Sequence, residues 1–183
     1  MASTLEIRVR ARALPLSKNS RHILANLGRY DLIVFTSKNA VRFFTQELRK
    51  RHLTLPRARM RAVGPRKNLL ALPLTGKRVL FPRSAIAPGD ILGEMRRRAA
   101  SVRTISLYTV DPVPLTARQK RALLSGGIKS LYFKSPSGVA GLLKQLRGAG
   151  RTTVQAIPAI CIGETTARAA RKAGWKKVSI KPV

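Results

Sequence analysis

Short apolar runs along the chain alternate with segments in which apolar residues recur at helical spacing. The run Leu32–Thr36 is followed by Val41, Phe44 and Leu48, which lie three or four residues apart, as on one face of a helix. Repetition of this pattern favours an α/β fold in which helices cover parallel sheets. The predicted strands are a segment within 1–10, Leu32–Thr36, Arg59–Val63, Arg78–Phe81, Arg103–Leu107, Leu131–Phe133, Ala159–Ile162 and Val178–Ile180.

Two of the predicted helices carry clear start signals. Thr116 with Gln119 three residues later forms the pattern of a capping box, which predicts a helix that runs through Leu124. Ser135-Pro136 places a capping hydroxyl before a proline suited to the first helical turn. Further helices are predicted after Pro88-Gly89 and over Thr165–Ala173.

Hydroxyl-bearing residues follow three of the predicted strands. In parallel sheets ligands bind outside the carboxyl ends of the strands, and helix N-termini there attract carboxylate or phosphate. Two interpretations stay open: Ser37, Ser135 and Thr165 cap their helices, or the hydroxyl-bearing residues together hold one anionic ligand. These residues are Thr36 and Ser37, Ser135 and Ser137, and Thr165 and Thr166.

The composition adds a strong positive charge. The 183 residues include 37 Lys and Arg against 7 Asp and Glu, which gives a net charge of +30, while 44% are hydrophobic and support a packed core. The charge predicts attraction to nucleic acid, an anionic membrane or a polycarboxylate substrate, and does not choose among them. Basic residues are interspersed with apolar ones, which is typical of solvated helix faces. No apolar run reaches the roughly 18 residues of a membrane span. The start, MASTLEIRVR, lacks the apolar core of a signal peptide, so we expect a cytoplasmic protein.

Several enzyme classes lack their motifs in this sequence. It contains no glycine-rich dinucleotide motif, phosphate loop, HExxH or GxSxG. With 2 histidines and 1 cysteine it offers no metal-ligating cluster and no internal disulfide. Cys161 lies in an apolar run and is interpreted as a small buried residue, and Trp175 as a packing residue.

Six motifs in order resemble the uroporphyrinogen-III synthase family. Each motif is weak alone, but six in the family's order across nearly the whole chain are fairly specific. They are Tyr30–Val41 (YDLIVFTSKNAV), Ala62–Gly64 (AVG), Lys77–Arg83 (KRVLFPR), Leu107–Val110 (LYTV), Phe133–Val139 (FKSPSGV) and Ile162–Arg168 (IGETTAR).

The resemblance implies both a reaction and an architecture. The reaction is cyclisation of hydroxymethylbilane, a linear tetrapyrrole with many carboxylates, to uroporphyrinogen III in heme biosynthesis. Water is lost and the terminal ring is inverted, without a metal or an organic cofactor. The implied fold is two small α/β parallel-sheet domains, flavodoxin-like or Rossmann-like, with the ligand in a cleft between them. One domain is expected at 14–107, the other at 1–10 with 109–183, with linkers near 11–13 and 108, in a monomer.

The resemblance also assigns roles to individual residues. Tyr108 is expected to face the cleft and to hydrogen-bond the departing hydroxyl, since a phenol stays protonated at neutral pH. The other interpretation of Tyr108 is an aromatic residue that covers a domain junction. Lys134 is expected to add charge near the substrate. The residues expected to bind the substrate are Thr36, Ser37, Lys38, Gly64, Ser135, Ser137, Gly138, Thr165 and Thr166.

The chain departs from the family pattern in two places. A strand and a helix that usually open the family fold are absent, and Lys67 replaces a threonine that usually starts a helix. Only 12 residues, 66–77, occupy the place of that helix and a further strand, so we expect sheets that lack some elements. The high charge supports an alternative function, a non-enzymatic α/β protein that binds nucleic-acid phosphates.

Overall fold

Strands and helices alternate along the chain in a computed structural model that describes residues 3–55, 59–63, 71–87 and 89–181. The α/β class predicted from the sequence is confirmed. No helix within these ranges is long and apolar enough to cross a membrane. The strands are β1 (Thr4–Ile7), β2 (Val9–Ala13), β3 (Leu32–Phe35), β4 (Met60–Ala62), β5 (Arg78–Ser84), β6 (Ser101–Pro112), β7 (Ser130–Phe133), β8 (Ala159–Cys161) and β9 (Val178–Ile180). The helices are α1 (Lys18–Ala25), α2 (Lys38–Lys50), α3 (Asp90–Arg98), α4 (Ala117–Leu124), α5 (Pro136–Lys144), α6 (Ala149–Ala156) and α7 (Glu164–Lys172).

The chain divides into two compact units. We call Ala11–Thr109 the middle unit, and Met1–Arg10 with Val110–Val183 the terminal unit. The chain passes from one unit to the other within β2 and again within β6. The domain limits implied by the resemblance, 14–107 and 1–10 with 109–183, and the linkers near 11–13 and 108 stay a prediction.

The middle unit is built on a sheet with the strand order β2-β6-β5-β3-β4. Strand β3 pairs in parallel with β4 and with β5, and all four of its residues are buried. A strand covered on both faces needs a continuous apolar run, which is what the sequence of β3 supplies. Helix α2 packs on this sheet, where Phe44 meets Phe35 edge to face with ring centroids 5.3 Å apart. The sheet and helix together fix the position of the segment that joins β3 to α2.

The terminal unit has a four-stranded parallel sheet in the order β1-β7-β8-β9. Cys161 is fully buried in its core as a free thiol, and burial raises the pKa of that thiol, so it is a packing residue as predicted. Trp175 is 2% exposed and meets Phe133 edge to face at 5.4 Å, which confirms its packing role.

Several elements have other bounds than predicted, and two helices were not predicted. Strand β6 extends well beyond the predicted Arg103–Leu107, because it pairs with β5 from its first residue. Helix α7 begins at Glu164 with Gly163 at its N-cap, so Thr165 lies inside the first turn. Helices α1 and α6 lie in segments for which no element was predicted.

Candidate functional site

A cavity of about 350 Å³ opens at the carboxyl ends of β3 and β4 in the middle unit. The two strands are parallel and in register, with Phe35 opposite Ala62, so their ends meet at one edge of the sheet. The Val63 amide donates a hydrogen bond to the Phe35 carbonyl at 2.7 Å, which is a further bond between the two chain segments at this edge. Ligands of parallel sheets bind at such edges. The lining residues are Phe35, Thr36, Ser37, Lys38, Val41, Ala62 and Val63.

Ser37 joins the cavity to the start of α2. Its side-chain oxygen accepts a hydrogen bond from the Ala40 amide at 3.0 Å, which makes it the N-cap of the helix. The predicted capping role of Ser37 is therefore confirmed, and the same residue lines the cavity together with half-buried Thr36. Lys38 is exposed at the rim, and among the described residues nothing forms a hydrogen bond or ion pair with its ammonium group. The helix start thus offers a hydroxyl, backbone amides and a positive charge at one place.

Tyr108 lies within β6 and contacts Ser37. Its hydroxyl is 2.8 Å from Ser37 Oγ, and the residue is only 4% exposed. Its ring stacks on Phe43 with centroids 5.0 Å apart and planes 17° from parallel, and the Arg42 guanidinium lies 4.6 Å from the Phe43 ring centroid. Tyr108 is not among the residues that line the cavity, whereas Ser37 is. The structure therefore places the phenol next to the cavity wall, with Ser37 as its contact to the cavity.

Ser135 and Ser137 lie at the start of α5 in the terminal unit. Ser135 Oγ accepts from the Gly138 amide at 3.3 Å, which confirms the predicted cap, and it lies 2.9 Å from Ser137 Oγ. Gly138 is buried. Lys134 is already engaged, since its ammonium lies 3.1 Å from the Glu6 carboxylate. Its charge is therefore partly neutralised, in contrast to that of Lys38.

The start of α7 differs from the expectation. Gly163 is the N-cap and no side chain caps the helix, so a capping role for Thr165 is wrong. Thr165 is exposed, whereas Thr166 is 3% exposed and packs into the unit. Glu164 places a carboxylate in the first turn and pairs with Arg171 at 3.2 Å. A carboxylate at this position already complements the positive end of the helix.

Two residues singled out in the sequence, Gly64 of the predicted site and Lys67, lie outside the described residues. Within the described ranges no group of three or more His, Cys, Asp and Glu side chains is placed to hold a metal ion. Phe43 was missed by the sequence reasoning because it lies off the stripe formed by Val41, Phe44 and Leu48. Its only sequence signal is its place in the first turns of the helix that follows Ser37.

A second cavity, of about 410 Å³, lies in the terminal unit beside β1. Its polar residues already bind one another: Thr116 and Gln119 form the predicted capping box, and Glu6 pairs with Arg8 and Lys134. Because its polar groups are occupied, this cavity offers less to an anionic ligand than the first. We therefore assign the candidate site to the ends of β3 and β4.

The fold and site define an α/β protein with a capped helix start and an exposed lysine at the carboxyl ends of two parallel strands. Comparison with known families then gives a specific match: the model described as "Uroporphyrinogen-III synthase HemD" matches residues 3–71 and 67–183. The chain belongs to this family, as its motifs predicted. No comparison favours the alternative of nucleic-acid binding.

Individual relatives agree with the family match. The porphyrin biosynthesis protein HemD of Ruminiclostridium josui is 25% identical to this chain over an alignment of 190 residues. The alignment covers 87% of this chain. The chain spans only 37% of the length of that relative.

Solved structures of two bacterial enzymes share the fold. A mutant uroporphyrinogen III synthase of the extremely thermophilic bacterium Thermus thermophilus gives a TM-score of 0.67 at 20% identity, covering 93% of this chain and 80% of that one. The uroporphyrinogen-III synthetase of Helicobacter pylori gives 0.61 at 17% identity, covering 98% and 92%. At these identities the likeness shows the fold.

Proposed function

We propose that this chain is a cyclising lyase that converts hydroxymethylbilane to uroporphyrinogen III. Water is lost and the terminal ring is inverted, as one step of tetrapyrrole and heme biosynthesis. Family membership supports the reaction class. The observation that carries the proposal is the cavity at the ends of β3 and β4, where the Ser37 hydroxyl, the first amides of α2 and the exposed Lys38 meet.

The chemistry of this cavity suits a carboxylate. A carboxylate accepts hydrogen bonds and carries negative charge, and charge-assisted bonds are about twice as strong as neutral ones. Ser37 and the α2 amides supply donors, and Lys38 supplies the opposite charge. The apolar walls at Phe35, Val41 and Val63 suit the carbon skeleton of a pyrrole ring. The cavity thus combines the two properties of the proposed substrate.

A substrate with several carboxylates needs more than one such place. We assign further carboxylates to the start of α5, at Ser135, Ser137 and Gly138, and to exposed Thr165 at the start of α7. Thr166 is the weaker candidate, because its burial leaves little of it accessible. The net charge of +30 assists by drawing a polyanion toward the chain.

The proposed rate enhancement comes mainly from orientation. Hydroxymethylbilane is flexible, and a site that holds its carboxylates brings the two ends of the linear tetrapyrrole together. Tyr108 does not line the cavity, and its hydroxyl lies 2.8 Å from Ser37 Oγ, so it acts on the substrate through Ser37. We propose that the reaction uses no metal or organic cofactor and that the chain acts as a monomer in the cytoplasm.

The proposal is tested by incubating the purified chain with freshly prepared hydroxymethylbilane and separating the product isomers. Spontaneous closure without ring inversion gives the type I isomer. We expect the chain to produce the type III isomer in excess over the amount formed in buffer. Type I product alone, at the rate found in buffer, would contradict the proposed function.

A matched pair of variants tests the site within the same assay. Lys38 and Lys18 each follow a capping serine as the first residue of a helix, but only Lys38 lines the cavity. Lys38→Ala should raise KM roughly five-fold, since it removes a charge worth about 1 kcal/mol at a partly exposed site. Lys18→Ala should leave KM unchanged. Equal effects of the two variants would place the substrate elsewhere.

A further inference from the structure

The phenol of Tyr108 is held in one place by three contacts. Its ring stacks on Phe43, and its backbone carbonyl accepts from the Ala85 amide at 2.9 Å. Its hydroxyl lies 2.8 Å from Ser37 Oγ, its one hydrogen-bond partner in the described part of the chain. Because Ser37 lines the cavity and Tyr108 does not, any effect of the phenol on a ligand there passes through Ser37.

The direction of the Ser37–Tyr108 hydrogen bond follows from counting protons. A serine hydroxyl has one proton to donate and two positions at which it accepts. One accepting position of Ser37 is filled by the Ala40 amide. If the phenol donates, the second position is filled and the Ser37 proton is free for the cavity. If Ser37 donates to the phenol instead, it has no proton left for a ligand.

An anion in the cavity selects the first arrangement. A carboxylate only accepts hydrogen bonds, so the Ser37 hydroxyl donates its hydrogen bond to the carboxylate. The phenol then donates its own hydrogen bond to Ser37. The bonds then run in one direction, from Tyr108 to Ser37 to the carboxylate, and each polarises the next.

We propose that Tyr108 is a positioning residue that acts through Ser37, and that Ser37 is the direct donor to a carboxylate oxygen of the substrate. This inference rests on the proposed function and refines it, since it removes the need for the phenol to touch the substrate. It differs from a purely structural role, because the phenol affects ligand binding only while the Ser37 hydroxyl is present.

The two residues act in series, which sets the pattern expected of their variants. Ser37→Ala removes a donor to a charged group, which should weaken binding roughly ten- to hundred-fold. Tyr108→Phe keeps the stacked ring and removes only the hydroxyl, with an expected loss of about five-fold. The double variant should bind no more weakly than Ser37→Ala alone. Losses that multiply in the double variant would show that the phenol contacts the ligand independently, which would overturn the proposal.

The probe for this measurement is uroporphyrin, a stable oxidised tetrapyrrole polycarboxylate whose fluorescence reports binding. The unaltered chain, the two single variants and the double variant are titrated at one fixed salt concentration, because the net charge makes binding depend on salt. KM and kcat for hydroxymethylbilane are measured in parallel, and the loss is expected mainly in KM.

Two further variants separate hydrogen bonding from helix capping. Ser17 caps α1 in the same unit by accepting from the Ser20 amide at 3.0 Å, as Ser37 caps α2. Ser17→Ala should lower stability about as much as Ser37→Ala does, but should leave uroporphyrin binding unchanged. Ser37→Thr keeps both cap and hydroxyl and should restore most of the binding. Equal weakening by Ser17→Ala, or no rescue by Ser37→Thr, would contradict the proposal.

The outcomes distinguish this inference from the proposed function. A chain that binds uroporphyrin with the series pattern but forms no type III isomer contradicts only the proposed reaction. A chain that forms the type III isomer but shows multiplied losses contradicts only the positioning role. Failure of the unaltered chain both to bind uroporphyrin and to form the type III isomer contradicts both.

Discussion

Among individual residues, Asp31 makes four hydrogen bonds to a single partner, Arg78. Its carboxylate accepts from the Arg78 backbone amide at 2.8 Å and from the Arg78 guanidinium at 3.0 and 3.2 Å. Its own amide donates to the Arg78 carbonyl at 2.9 Å. These hydrogen bonds hold the pKa of Asp31 well below its ordinary value. The pair ties the start of β3 to the start of β5.

Asp31→Asn is predicted to lower stability at neutral pH. A depressed carboxyl pKa contributes stability that is complete above the unfolded-state pKa of about 4, and that is lost as pH falls through the folded-state value. The difference in denaturation midpoint between Asp31→Asn and the unaltered chain should therefore be largest near pH 7 and shrink below about pH 4. Urea unfolding at several pH values measures it. A difference that does not change with pH would contradict this role of the charge.

The distance in sequence over which a residue acts decides how well its role could be predicted. The caps at Ser37, Ser135 and Thr116 were predictable, because each hydroxyl binds an amide three residues further on. The bond from Ser37 to Tyr108 joins residues 71 apart, and no local pattern encodes it. The stacking of Phe43 on Tyr108 depends on the same long-range pairing.

At the scale of the elements, two helical glycines have opposite surroundings. A Cβ at Gly141 in α5 would lie 2.7 Å from Pro112 Cβ, which is closer than two carbon atoms can approach. The rigid ring of Pro112, at the end of β6, cannot easily move away to make room. A Cβ at Gly93 in α3 would meet only the end of the flexible Arg97 side chain, at 4.0 Å. Gly141 is thus required by packing, and Gly93 is not.

Alanine substitution at the two glycines should therefore have opposite effects. Gly93→Ala should stabilise the chain by up to about 1 kcal/mol, because alanine favours a helix by that amount. Gly141→Ala gains the same propensity but must displace Pro112, and should destabilise the chain by roughly 1–3 kcal/mol. Unfolding followed by circular dichroism measures both. Stabilisation by Gly141→Ala would show that α5 does not pack against Pro112 as described.

The elements that were predicted well have strong local patterns. Strand β9 and the end of α4 agree with the predicted bounds, and β3 differs by one residue. Strand β6 was predicted too short because its register with β5, rather than its own alternation, sets its start. Helix α6 was missed because it follows Gly148 with a positive φ of 50° and has a single buried residue, Val154.

For the whole molecule, charge is the property that sets this chain apart. A net charge of +30 on 183 residues repels itself in the folded state, and the described acidic side chains are mostly already paired with basic ones. Charge alone did not identify the ligand, whereas the order of the six motifs identified the family. The net charge predicts that a partner is negatively charged, and the residues at the strand ends predict where that partner binds.

Screening should stabilise the chain. The midpoint of thermal unfolding should rise with added sodium chloride, most steeply below about 0.1 M, where the Debye length exceeds about 10 Å, and then level off. The opposite slope would indicate that attractive ion pairs outweigh the repulsion. Because uroporphyrin carries negative charge, its binding should weaken over the same range of salt.

The location of the ligand is tested most directly by nuclear magnetic resonance of the ¹⁵N-labelled chain during titration with uroporphyrin. A carboxylate held at the start of α2 should give its largest amide shifts at Ser37, Lys38, Asn39 and Ala40, with smaller shifts at Ala62 and Val63 at the end of β4. Shifts that spread evenly over exposed lysines and arginines, or that centre on another part of the chain, would contradict a carboxylate site at the ends of β3 and β4.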